Sequence, residues 1–157
     1  MAVLLTGGAG YIGSHTAVAL IEAGISQHHE MKRLHNIIRP TIGVFTNIGG
    51  AHQENFASLQ DKCREKLELF RDCDIIIYNG DDKLICNCVN QSILSAREIA
   101  WSRKDPDKPL YITSTLTKDK NTTVKYRYLG INGSYTLPFT DEASLENSIH
   151  CLAASLY

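Results

Sequence analysis

The strongest constraint on the fold is the order in which apolar patterns succeed one another. Ser58 to Asp72 sets Leu59, Cys63, Leu67 and Phe70 on one helical stripe. Asp74-Ile75-Ile76-Ile77-Tyr78 follows at once as a continuous apolar run, the mark of a strand buried on both faces. Upstream, Met31, Leu34, Ile37 and Ile38 recur at helical spacing until Arg39-Pro40, where proline disfavours continuation, and Thr41 to Ile48 then reads as a β-rich buried strand. Helix and strand alternate, so the expected architecture is an α/β domain with a largely parallel sheet.

The period changes downstream. Leu110 to Leu116, Val124 to Ile131 and Ser134 to Phe139 alternate with a period of two, which predicts an antiparallel hairpin extension over residues 110–139. Asn132-Gly133 is the expected hairpin turn, because both residue types tolerate positive φ. From Ser144 onward Leu145, Ile149, Leu152 and Leu156 return to helical spacing, so a closing helix should pack on the sheet. Cys86-x-Cys88 reads as helix or loop filler rather than a metal site.

The first 24 residues have a different character. Ala2 to Thr6 is a short apolar run, Ser14 to Ala23 is rich in helix formers, and between them lies Thr6-Gly7-Gly8-Ala9-Gly10-Tyr11-Ile12-Gly13. Strand, glycine turn and helix in that order suit close approach of the backbone to a phosphate, with the first helical amides facing it. A structural strand-to-helix turn has the same glycines. The fold as a whole is expected to be a three-layer, Rossmann-like or P-loop-like α/β domain spanning residues 1–157.

Val-Leu-Leu-Thr-Gly-Gly-Ala-Gly-Tyr-Ile-Gly-Ser-His-Thr resembles the opening of UDP-glucose 4-epimerases of the extended short-chain dehydrogenase family. The resemblance implies NAD bound at Gly7, Gly10, Tyr11, Ile12 and Gly13. It also implies an acidic residue closing the second strand and a Tyr-x-x-x-Lys pair, and neither is present.

From Glu22 onward the text is similar to another family. Thr46-Asn47-Ile48-Gly49-Gly50-Ala51-His52 resembles the Thr-Asn-Ile-Gly-x-Ala-His motif of Mur ligases, and the likeness continues through 74–79, 96–104 and 141–157. Mur ligases are ATP-dependent amide ligases of peptidoglycan precursor synthesis. The resemblance implies ATP and Mg2+ as cofactors, with Glu22 and His52 as metal ligands, Lys66 as the lysine that is carbamylated and assists catalysis, and Asn147 near the adenine. Read without that resemblance, a loop histidine is ordinarily structural, Lys66 is a lysine snorkelling at the edge of a core stripe, and Asn147 is a solvent-facing polar residue.

No G-x-x-x-x-G-K-[ST] loop occurs, so the expected main holder of the β and γ phosphates is missing and full ligase turnover is not expected. The two resemblances meet at Glu22-Ala23-Gly24, so the chain reads as chimera-like, with an epimerase-like segment 1–24 and a Mur ligase-like segment 25–157. The expected partner is a nucleotide or a UDP-linked small molecule. An inactive recombinant or designed fusion is a third reading.

Sixteen basic against 17 acidic residues give a net charge of -1, which offers no reason to expect nucleic acid or a membrane surface as partner. No apolar run approaches the ~20 residues of a membrane span. Five cysteines without paired spacing read as reduced thiols, and the expected location is the cytoplasm.

Overall fold

A computed structural model describes residues 27–49 and 53–157. The glycine loop with Gly7, Gly10, Tyr11, Ile12 and Gly13, and the expected metal ligands Glu22 and His52, lie outside the described residues.

In chain order the elements are α1 (Glu30–Ile38), β1 (Ile42–Phe45), a 3-10 turn (Gln53–Asn55), α2 (Leu59–Leu67), a second 3-10 turn (Glu68–Phe70), β2 (Ile75–Asn79), α3 (Lys83–Gln91), β3 (Arg97–Ser102), β4 (Leu110–Lys118), β5 (Asn121–Tyr128), β6 (Ile131–Leu137) and α4 (Glu142–Ser155). The six strands form one sheet in sequence order. β1 to β4 run parallel, while β4–β5 and β5–β6 are antiparallel. The expected α/β architecture with an antiparallel extension is the one observed.

The apolar run of β2 explains the layering, because successive side chains leave opposite faces of a strand. Ile76 and Tyr78 join Phe45, Cys63, Leu67, Phe70, Ile85, Cys88 and Ala100 on the face covered by α1, α2 and α3. Ile75 and Ile77 point the other way and pack with Val44, Ile99, Trp101, Leu110, Leu145 and Ile149 under α4. Each fully buried aliphatic side chain stabilises the fold by roughly 1.5–3 kcal/mol, so both cores contribute substantially.

Helix boundaries follow local chemistry. The Ser58 hydroxyl accepts from the amide of Asp61 at 3.0 Å, and the Asp82 carboxylate accepts from the amides of Leu84 and Ile85 at 2.9 and 3.0 Å. Asp141 does the same for Ser144, and that hydrogen bond holds its carboxyl below the usual range. The α2 stripe is rotated from its expected setting: Leu59 is 40% exposed, while Lys62, Cys63 and Leu67 face inward. Ile37 of α1 likewise points to solvent.

The Asn132-Gly133 expectation is corrected by the register. Asn132 and Gly133 lie inside β6, opposite Arg127 and Tyr126, and the turn is Leu129-Gly130, both with positive φ (48° and 87°). Gly133 is there for close approach, since a Cβ would meet the Tyr126 hydroxyl and ring at 2.4 Å. A glycine roofed by a cross-strand tyrosine is a recognised way to keep a strand packed without a side chain.

Candidate functional site at the carboxyl edge of the sheet

In open α/β sheets ligands bind outside the carboxyl ends of the parallel strands, where the connecting loops gather. Here those loops are 46–49 after β1, 79–82 after β2 and 102–105 after β3.

The loop after β1 is held by two lysines one helical turn apart on α2. Lys66 is half-buried, and its Nζ donates to the carbonyl of Asn47 at 3.1 Å while lying 5.5 Å from the centroid of the Phe45 ring. Lys62 goes deeper. It is only 3% exposed, donates to the carbonyl of Gly49 at 2.8 Å and sits 5.9 Å from the centre of the Phe56 ring. A buried ammonium is costly unless it is paired, and a carbonyl acceptor together with an aromatic face offsets part of that cost.

The loops after β2 and β3 are tied together by Asp81. Its carboxylate accepts from the Ser102 hydroxyl at 2.5 Å and from the amide of Arg103 at 2.8 Å, while the Ser102 oxygen accepts from the amides of Lys104 and Asp105. Asn79 closes the same turn by accepting from the Asp81 amide at 2.9 Å, and its side-chain amide reaches Glu146 of α4 at 3.5 Å.

Arg103 leaves β3 across the Trp101 ring, at 5.8 Å, and donates from Nη1 to Glu142 at 2.5 Å. Its Nε and Nη2 are buried without a hydrogen-bond partner among the described residues. Burial raises the carboxyl of Glu146, against the lowering effect of Arg103 and with Glu142 and Asp82 adding to the rise. Below this cluster Trp101 Nε1 donates to Nδ1 of buried His150 at 3.2 Å, and burial lowers the His150 imidazole to about 4, with the Thr46 backbone acting the other way. His150 therefore joins α4 to β3.

The two described residues among the sequence candidates lie apart in character. Lys66 faces the loop after β1, whereas Asn147 is exposed on α4, one residue beyond Glu146. The sequence reading passed over Lys62, Asp81, Arg103 and His150. Only the Asp81-Asp82 pair at the end of an apolar run carried a local signal, as a helix start.

The described residues hold no group of three or more His, Cys, Asp and Glu side chains that could bind a metal ion. A cavity of about 560 Å³ lies away from this edge, beside Arg64, Arg71, Gln91 and Ile93, and includes none of the candidate residues. Among the described residues no helix is long and apolar enough to cross a membrane.

Comparison with known proteins agrees with this fold. The chain is 25% identical over 146 residues, 91% of its length, to the UDP-N-acetylmuramoyl-tripeptide–D-alanyl-D-alanine ligase of Bacillus subtilis. It spans only 30% of that ligase's length. It is also 42% identical to the UDP-glucose 4-epimerase of Bos taurus, over 74 residues that make up 47% of this chain and 18% of that one. Among solved structures, MurF from Acinetobacter baumannii superposes with a TM-score of 0.74 at 19% identity, over 87% of this chain and 30% of that one. MurF ligase from Thermotoga maritima in complex with ADP superposes with a TM-score of 0.71 at 17% identity, over 87% and 32%. The Mur ligase middle domain model matches residues 11–155, and with nearly the whole chain covered and the fold in agreement, this protein belongs to the Mur ligase middle domain family.

Proposed function

We propose that the chain is a nucleotide-binding domain of Mur ligase type that takes ATP with Mg2+ at the carboxyl edge of the sheet and does not complete amide ligation. One observation carries this reading: three cationic side chains, Lys62, Lys66 and Arg103, gather on the loops after β1 and β3, and two N–H groups of Arg103 are buried without an acceptor among the described residues. The phosphate and base acceptors of a nucleotide match that donor set in charge and chemistry. In this reading Lys66 assists the metal, Asn147 flanks the adenine, and Glu22 and His52 supply the ligands that the described residues lack. The relative solved with ADP supports the choice of nucleotide.

Inactivity as a ligase follows from the missing Walker A loop, which removes the lysine and hydroxyl that hold the β and γ phosphates and magnesium. Calorimetric titration with Mg-ATP and with ADP tests the binding. Heat and a thermal shift support it, and the absence of both at millimolar nucleotide would sink it.

A second reading rests on the epimerase match, which extends over 74 residues. Here the segment 1–24 is an epimerase-like graft whose Gly7, Gly10, Tyr11, Ile12 and Gly13 bind NAD or a UDP-linked sugar. NADH fluorescence enhancement that disappears in Gly10→Asp favours this reading, and enhancement that survives the substitution refutes the loop's part in it. All five cysteines are free thiols, which accords with a reducing cytoplasmic setting.

A further inference from the structure

The antiparallel extension concentrates charge that the whole-chain balance conceals. Residues 108–139 carry five basic side chains (Lys108, Lys118, Lys120, Lys125, Arg127) and one acid (Asp119), in a chain whose net charge is -1. The register puts Lys125 and Arg127 on the same face of β5 as Asn132, Ser134 and Thr136 of β6. Two contacts confirm the face: Arg127 lies 5.5 Å from the Tyr111 ring, and the Thr123 and Thr136 hydroxyls are 3.0 Å apart. The opposite face packs toward α4 through Val124, Tyr126, Tyr135 and Leu137.

β6 is also an edge. No strand pairs with its outer side among the described residues. In a two-residue hairpin the pair flanking the turn, here Tyr128 and Ile131, is hydrogen-bonded. Alternation then aims the N–H and C=O groups of Asn132, Ser134 and Thr136 off the edge. Edge strands are ordinarily guarded by a charge, a proline or a bulge. The seven residues of β6, Ile-Asn-Gly-Ser-Tyr-Thr-Leu, contain no charge and no proline, and their pairing with β5 is regular throughout. Ile131 is 73% exposed at one end, and a groove of about 480 Å³ lined by Thr113, Lys125, Tyr126, Asn132, Gly133 and Ser134 crosses β4, β5 and β6.

We propose that the free edge of β6 accepts an extended acidic segment of a partner protein as a seventh strand. Main-chain hydrogen bonds to Asn132, Ser134 and Thr136 supply the pairing. Acidic side chains on one face meet Lys125 and Arg127, and apolar side chains on the other rest on Ile131. Charge decides the occupant. A second copy pairing β6 to β6 presents the same basic face and brings no acidic side chain to meet Lys125 and Arg127. A single nucleic acid strand needs stacking platforms, and among the described residues the only aromatic side chain on this face of the extension, Tyr111, is already engaged by Arg127. The proposal is independent of nucleotide binding at the other site.

The test uses the whole chain and a fluorescein-labelled peptide of alternating Glu and Val, read by fluorescence anisotropy. Saturable binding is expected, weakened ~10-fold or more between about 0.05 M and about 0.5 M salt. Ser134→Pro removes an outward N–H without touching the β5 ladder and should weaken binding ~10-fold or more, as should the exposed double variant Lys125→Glu/Arg127→Glu. Circular dichroism checks that both fold, and the double variant keeps the test valid if the proline does not. Lack of binding up to about 1 mM peptide overturns the proposal. So does affinity unchanged in both variants, tighter binding of an oligouridylate than of the peptide, or self-association of the chain that Ser134→Pro abolishes.

Discussion

Trp101 of β3 donates its indole N–H to Nδ1 of His150 on α4, 3.2 Å away, with both residues buried and their rings edge to face at 80°. Indole can only donate, so a fully buried tryptophan needs an acceptor, and a neutral imidazole supplies one. Accepting at Nδ1 puts the imidazole proton on Nε2, which is buried without a hydrogen-bond partner among the described residues.

That arrangement makes stability depend on pH. Burial lowers His150 from its ordinary 6.5 to about 4. Between those values the unfolded chain takes up a proton that the folded chain refuses. Stability is therefore complete above pH 6.5 and falls as pH drops toward 4, by up to about 3 kcal/mol from this group. Urea midpoints measured at pH 7 and pH 4.5 should differ clearly more in the wild type than in His150→Asn, which keeps an acceptor for Trp101. Equal pH dependence in the two proteins refutes the assignment.

Gly43 in β1 is a packing glycine. A Cβ there would meet Cδ1 and Cγ of Phe70 at 2.5 and 2.9 Å, and Phe70 is itself buried near the Phe45 ring. These are atoms near the root of the ring, so the aromatic cannot swing aside cheaply. Gly43→Ala should cost about 1–3 kcal/mol by chemical denaturation. A loss below about 0.5 kcal/mol means that the turn carrying Phe70 yields freely.

The turn from β4 to β5 carries backbone strain. Asp119 and Lys120 adopt φ of 50° and 64°, the left-handed geometry of a tight hairpin. A non-glycine residue there costs roughly 1 kcal/mol, and Lys120 has no hydrogen-bonding role that would offset it. Lys120→Gly should raise the thermal midpoint, with a gain of about 0.5–1 kcal/mol. A lower midpoint contradicts the strain.

The same hairpins show where the sequence was and was not legible. Period-two alternation located all three antiparallel strands, because burial of one face is a local, repeating property. The turn was misplaced, because Asn132-Gly133 has ideal turn chemistry and the long-range fit of Tyr126 over Gly133 decided otherwise. Helix α3 was missed because Asn87, Asn90 and two cysteines are weak helix formers, although the Asp82 cap and the spacing of Ile85, Cys88 and Val89 were present. In α2, the Mur ligase resemblance singled out Lys66 and its place at the edge of the core stripe agreed, but neither pointed to the more deeply buried Lys62, since a wheel fixes a face only to within a residue or so. Asp81, Ser102, Arg103 and His150 come from three separate elements and meet only in three dimensions.

The most direct measurement is calorimetric titration of the chain with Mg-ATP, repeated on Lys66→Ala and Arg103→Ala. Lys66 is half-exposed and Arg103 lies at the rim of the sheet, so both variants should stay folded by circular dichroism. Saturable heat in the wild type, weakened ~10-fold or more in each variant, is the predicted result, at about 1.4 kcal/mol per tenfold. No heat at millimolar Mg-ATP, or equal affinity in all three proteins, contradicts a nucleotide site at the carboxyl edge of this sheet.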